Sequence, residues 1–376
     1  MTSRKLLWIL NFSSLILYAM VTAAIGPSLP LISKEFNLDP SLAGFLVSIS
    51  SLGAMLSALG GWIADRFGRG LMVLISLSMF GLGSMLMGLA PTIFFMGAAM
   101  LCMGIGSGFF EAASNAMISD LYAERRGMAV SLFNVARNIG LGLGPPITVF
   151  LITSMKTWRI VYLAAAPPII LLATAILFSS RGLSAVKRFN LQRRELSGLL
   201  KIMPIAFIST LMVAVEAGLS TWLPSILMDM GAGLLEGGLT VGFFWGLMSV
   251  GRFIWAFFID KLGYRKSMLV SGILGTLLMI IAVIQVPLQV KMAAWASSGF
   301  FLAPLFPSLL ALMTDLKPEF GGVLTGTAFT MGTLGSFVMT WLVGVIAALL
   351  GFQVAQYVFP IASLVMIILI LKLIIE

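Results

Sequence analysis

The chain has 376 residues, of which 60% are hydrophobic and 10% charged, and its mean hydropathy is +1.08. That composition excludes an ordinary soluble protein, in which about a quarter of residues carry charge. With no histidine and one cysteine, Cys102, it also excludes an intrachain disulfide, a histidine-based zinc centre and a histidine proton relay.

Apolar runs long enough to cross hydrocarbon recur along the whole chain. They predict twelve membrane helices, at 6–29, 41–63, 71–89, 92–119, 128–153, 159–179, 202–228, 239–259, 267–286, 292–314, 323–349 and 355–374. The first run is too long for a signal peptide and has no small-residue cleavage site, so it is expected to stay as a helix. The longest polar interruption, SSRGLSAVKRFNLQRRELSGLLK (179–201), holds six basic residues and follows the sixth helix. It predicts two six-helix bundles, 1–180 and 201–376, joined by a cytoplasmic linker at 181–200. Nothing is left over for a soluble catalytic domain, and no nucleophile–base pair or phosphate-cradling loop appears. An enzyme is not expected, nor is a cofactor or a metal.

The net charge of +9 invites a nucleic-acid reading, but its distribution argues against one. The predicted spans put seventeen Lys and Arg residues on the side of the termini. Four, Lys34, Lys156, Arg159 and Lys291, fall on the other. This bias predicts that both termini are cytoplasmic, and the membrane expected is the cytoplasmic (inner) one. The partners expected are lipid, a small solute and a coupling ion, H⁺ or Na⁺, with no nucleic acid.

A turn between the second and third helices reads GGWIADRFGRG (60–70), and one between the eighth and ninth reads WAFFIDKLGYRK (255–266). A shift of 195 residues places Asp65 on Asp260 and DLYAERRG (120–127) on DLKPEFGG (315–322), aligning Asp120 with Asp315 and Gly127 with Gly322, and a shift of 194 places Leu29-Pro30 on Leu223-Pro224. Three matches in order imply parallel repeats about an axis along the membrane normal. Asp65, Arg66 and Arg69 in one turn, and Asp260, Lys261 and Arg265 in the other, become candidate gating residues. Carboxylates there can bond arginines or helix N-termini of the opposite half in one state and release them in another.

Here the chain resembles the major facilitator superfamily over essentially its whole length. Gly61, Asp65, Arg66, Gly68 and Arg69 stand where that family's loop between helices two and three has them. Gly70 departs from the family's second basic residue. The resemblance implies an all-α membrane protein with two pseudo-symmetric six-helix bundles around a central cavity that opens alternately to each side. It also implies a secondary active transporter that works as a monomer.

Four ionisable residues fall inside the predicted helices: Glu111, Arg137, Glu216 and Arg252. A charge at membrane depth costs at least about 2.5–3.5 kcal/mol, so such residues usually pair or face a cavity. Glu111 lies thirteen residues before position 124 and Arg137 thirteen after it, so an antiparallel hairpin sets them level. They are either a static ion pair or a titratable one, in which protonating Glu111 frees Arg137. Asn115 shares the face of Glu111, while Asn134 and Asn138 flank Arg137. Glu216 and Arg252 are roughly level in helices seven and eight.

The strings GIGSGFFEAASN (104–115), VEAGLSTWLPSIL (215–227), FFWGLMSVGR (243–252) and APLFPSLLAL (303–312) are similar to the branch of fucose, glucose and galactose proton symporters. That resemblance implies Glu111 and Glu216 as proton-coupling acids and Asn115 as a sugar ligand. Trp222 and Trp245 become stacking or cavity residues. Two competitors remain. One is an organic-anion carrier clamping its solute with Arg137 and Arg252. The other is a proton-coupled exporter, because Gly140, Gly144 and Pro145 partly match an antiporter motif. For those glycines close helix packing is the simpler account.

Overall fold

The computed structural model describes residues 3–122, 124, 126–180, 203–316 and 321–375. The expected linker at 181–200 lies outside them. Among the described residues twelve helical spans are long and apolar enough to cross a membrane. They are Arg4–Glu35, Pro40–Ala64, Arg69–Leu89, Ile93–Leu121, Leu132–Met155, Arg159–Ser180, Ile205–Asp229, Leu234–Ile259, Tyr264–Val283, Leu288–Asp315, Leu324–Leu350 and Phe352–Leu373. We refer to them as helices one to twelve.

Helix one is longer than its apolar run suggests and consists of two segments, Ser3–Ala23 and Ile25–Glu35. Pro27 accounts for the break, because it has no N–H for the carbonyl of Ala23 and its ring crowds that oxygen. Helix ten divides likewise into Leu288–Leu302 and Leu305–Leu316, where Pro307 stands in the same relation to Ala303. Helix two splits into Pro40–Ala54 and Ser57–Phe67 without a proline. Ser50, Ser51 and Gly53 precede that break, and serine–glycine pairs are a recognised cause of kinks. Pro145, Pro146, Pro167 and Pro168 sit in helices that run on through them, Arg126–Met155 and Arg159–Ser180.

The chain falls into two compact units, one of residues 1–36 and 46–190 and one of 37–45 and 191–376. Within the first, helix one packs on helix five, two on four, three on four and three on six. Within the second, seven packs on eleven, eight on ten, nine on ten and nine on twelve. The neighbour scheme is therefore the same in both.

The repeat holds at the level of single atoms, with a shift of 195 residues at the turns and in helices four and five, and of 194 at Ile16 and Ser50. Gly68 and Gly263 end helices two and eight with φ of +100° and +76°. Their amides donate to the carbonyls of Ala64 (3.0 Å) and Ile259 (2.8 Å), themselves 195 residues apart. A Cβ on Gly104 would overlap the carbonyl oxygen of Ser50, and one on Gly299 that of Phe244. A Cβ on Gly140 would overlap the carbonyl oxygen of Ile16, and one on Gly335 that of Thr210. Both turns need the positive φ that only glycine adopts without strain. Changing either Gly68 or Gly263 to Ala should lower stability by about 1 kcal/mol, measurable as a drop in melting temperature of the detergent-solubilised protein.

The scarce cations of the second side have local work as well. Arg159 Nη1 donates to the carbonyls of Gly88 (3.1 Å) and Ala90 (2.8 Å) at the end of helix three. Lys291 Nζ donates to those of Ala282 (3.1 Å) and Ile284 (2.5 Å) at the end of helix nine. A helix leaves its last carbonyls unpaired and carries partial negative charge there, so a cation satisfies both demands. Arg159 also binds Glu35 (2.5 Å), whose other oxygen accepts from Trp158 Nε1 at 2.7 Å. This ties the end of helix one to helices three and six.

Candidate functional site

Helix four brings Glu111 to helix five, and the carboxylate meets Arg137 as the hairpin geometry requires, with Nε to Oε1 at 3.2 Å. A third residue joins them. Tyr18 of helix one donates its hydroxyl to the same Oε1 at 3.1 Å. Both contacts thus fall on one oxygen of the carboxylate. The pair is partly accessible, with 24% of the Glu111 side chain and 36% of the Arg137 side chain exposed.

Local packing explains how Tyr18 arrives there. Gly140 and Gly144 of helix five press on the main chain of helix one at Ile16 and Met20, which bracket Tyr18. The side chain that any other residue would carry would hold the helices apart. The Tyr18 ring then lies edge-on against Phe80 (4.9 Å) and Phe110 (5.6 Å). The two glycines of the suspected antiporter motif therefore have a packing role. One turn beyond Glu111, Asn115 donates to the Glu111 carbonyl at 2.8 Å. Its Oδ1 is buried and has no hydrogen-bond partner among the described residues. Asn138 is buried and Asn134 half-buried on the facing helix. Deeper between helices one and four, Ser114 donates to Asn11 Oδ1 (3.0 Å), and Asn11 donates to the Leu7 carbonyl (2.8 Å).

A carboxylate, a guanidinium, a phenol and an amide thus converge within the membrane-spanning helices. While Glu111 is ionised the pair is neutral overall, which limits the cost of desolvating it.

In the second unit the candidates are more dispersed. Glu216 is half-buried in helix seven and Arg252 half-buried in helix eight, the latter with Nη2 3.6 Å from Met248 Sδ. Trp245 donates to Ser220 Oγ at 3.2 Å, tying helix eight to helix seven. Trp222 is 1% exposed, donates its one N–H to the Thr340 carbonyl at 2.9 Å and leans on Phe352. Its ring and its donor are both committed to packing, so a solute contact expected from the sequence meets a sealed side chain.

At the repeated turns, the side chains of Asp65 and Asp260 lie outside the described residues. Arg66 is exposed, with its guanidinium over Trp62 (5.6 Å) and Phe67 (5.5 Å). Arg69 forms an ion pair with Asp120 and donates to the Ala116 carbonyl, both on helix four of its own unit. Lys261 is exposed and Arg265 half-buried.

The sequence model of the Major Facilitator Superfamily matches residues 12–288 and 239–376. The chain is 27% identical over 184 residues to the uncharacterized MFS-type transporter YfiU of Bacillus subtilis, a match that covers 48% of this chain but only 35% of YfiU. It is 22% identical over 344 residues to the cyanate transport protein CynX of Escherichia coli, covering 89% of this chain and 88% of CynX. With the galactose-proton symporter of Escherichia coli it shares 26% identity over 179 residues, 46% of this chain and 38% of the symporter. Among solved structures, a bacterial homolog of the human lysosomal transporter Spinster superposes with a TM-score of 0.80 at 13% identity, covering 99% of this chain and 95% of that one. The D-xylose-proton symporter gives 0.74 at 18% identity, covering 96% of each chain.

Proposed function

From the premise that the chain belongs to the Major Facilitator Superfamily, a family of integral membrane transporters, we propose that it is a proton-coupled symporter of a hydroxyl-rich solute, most simply a sugar. It works by alternating access in the cytoplasmic membrane, with both termini cytoplasmic. Glu111 carries the proton, Arg137 is its counter-ion, and Asn115, Asn134 and Asn138 contact the solute. Glu216 is a second acid available for coupling and Trp245 a second contact. The two turns that hold Asp65, Arg66 and Arg69, and Asp260, Lys261 and Arg265, act as gates.

One observation supports this most: an acid within a membrane helix, bonded twice on Oε1 by Tyr18 and Arg137, beside an amide whose buried acceptor lacks a donor. An acceptor left unpaired in a low-dielectric interior costs roughly 1–3 kcal/mol, and a solute hydroxyl repays it. The similarity to galactose and xylose symporters points the same way.

The decisive experiment reconstitutes the protein in vesicles and offers galactose and xylose under a proton gradient, inside alkaline. Accumulation that collapses with an uncoupler is the expected result. No accumulation of any sugar, with or without a sodium gradient, would overturn the reading. A second reading has a specific ground: CynX aligns with nearly the whole chain, and Arg137 is a partly accessible cation within a membrane helix that an anion can meet. Cyanate and small carboxylates are therefore included as cargo. Uptake of an acid that outcompetes every sugar would make this an anion carrier.

Tyr18→Phe keeps the ring packing and removes only the hydroxyl. It should reduce gradient-driven accumulation about tenfold, the scale of one hydrogen bond to a charged group, while solute exchange at equal pH stays near normal.

A further inference from the structure

The repeat relation identifies what stands in the second unit where the first has its ionic cluster. Adding 195 to Glu111, Asn134 and Arg137 gives Phe306, Phe329 and Gly332, and the shift of 194 that relates Ile16 to Thr210 sets Met212 at the place of Tyr18. The scaffold is the same at this level, since Gly140 and Gly335 pack on Ile16 and Thr210 in matching ways. A Cβ on Gly332 would lie 2.7 Å from Val213 Cγ2, so helix eleven faces helix seven at this level as helix five faces helix one. In place of a carboxylate and an amide stand two rings, Phe306 and Phe329, with centroids 5.2 Å apart and planes at 67°. Phe329 is 40% exposed.

An exposed phenylalanine in a membrane protein ordinarily faces lipid. The repeat argues otherwise for this one. Glu111, Asn134 and Arg137 cannot be turned into hydrocarbon without a large penalty, so that face of helices four and five points away from lipid. The corresponding face of helices ten and eleven, built on the same backbone contacts, points away from lipid too. An aromatic pair presented to water is unfavourable until something apolar covers it.

Resting on the reading above, we infer that Phe306 and Phe329 are the solute platform of the second unit and that they select a solute with an apolar ring face. A pyranose offers such a face on its C–H side. A small linear anion has no such face and gains nothing from them.

Two measurements test this independently. In a Cys102→Ser background, Phe329→Cys should react with a water-soluble maleimide at least about tenfold faster than Ile368→Cys, an exposed position on the wholly apolar stretch of helix twelve. Equal, slow reaction of the two would overturn the inference whatever the cargo is. Phe306→Ala and Phe329→Ala should each raise KM for the transported sugar about tenfold with the maximal rate nearly unchanged, and Phe306→Tyr should restore it. Unchanged KM in both alanine variants, in a protein that does accumulate sugar, would refute the platform while sparing the proposed function. Failure of the wild type to accumulate sugar would instead defeat that function and leave the maleimide result to judge the face.

Discussion

Glu111→Gln is expected to abolish uphill accumulation while leaving exchange of the solute across the vesicle membrane at equal pH. Glutamine keeps the shape of glutamate and an oxygen that can accept from Tyr18 and Arg137, whose present distances are 3.1 and 3.2 Å. What it cannot do is take up and release a proton. The substitution also removes the charged partner of the Arg137 guanidinium seen at 3.2 Å. Breaking a fully buried ion pair costs about 3–5 kcal/mol, but 36% of the Arg137 side chain is accessible, so the penalty here is smaller and the protein should still fold. Adding Arg137→Gln should recover melting temperature without recovering accumulation. If Glu111→Gln alone still concentrates solute with an unaltered pH profile, the proton travels by another group, and Glu216 becomes the first to examine.

The second large effect comes from a matched pair of lesions. Gly140→Leu and Gly335→Leu each drive a side chain into the main chain of the helix opposite, at Ile16 and at Thr210. Overpacking of this kind costs roughly 1–3 kcal/mol and more where backbone must move. Both variants should lose most of their monodisperse peak on size-exclusion chromatography in detergent. The smaller Gly140→Ala and Gly335→Ala should separate the two sites. The first lifts Tyr18 away from Glu111 and should lower both stability and coupling. The second has no carboxylate nearby in the repeat scheme and should lower stability alone. Equal loss of coupling in the two alanine variants would mean that Tyr18 has no particular role.

Much of this architecture could be read from residue order, because hydrophobic length and charge are local properties. The doubled turn at Asp65 and Asp260 revealed the repeat, and the level placement of Glu111 and Arg137 followed from helical rise alone. Tyr18 could not be found that way. Nothing within helix one distinguishes it from a packing tyrosine until Gly140 and Gly144 draw the helix against helix five, 120-odd residues later in the chain. Trp222 likewise has surroundings that its own helix does not reveal. A tryptophan beside Leu223 and Pro224 resembles a sugar contact in sequence, but its environment depends on Thr340 and Phe352. The C-terminal end of helix one was also illegible, since Lys34 and Glu35 look like loop until Arg159 and Trp158 hold the carboxylate.

The lysine and arginine that cap helices three and nine limit how the protein can be re-engineered. Membrane orientation is commonly inverted by stripping positive residues from one flank and adding them to the other. Of the four available on the sparse flank, Arg159 and Lys291 hold carbonyl oxygens at helix ends, so deleting them would fray those ends and confuse misfolding with a flipped topology. Lys34 and Lys156 are the positions at which such an experiment has a clean interpretation.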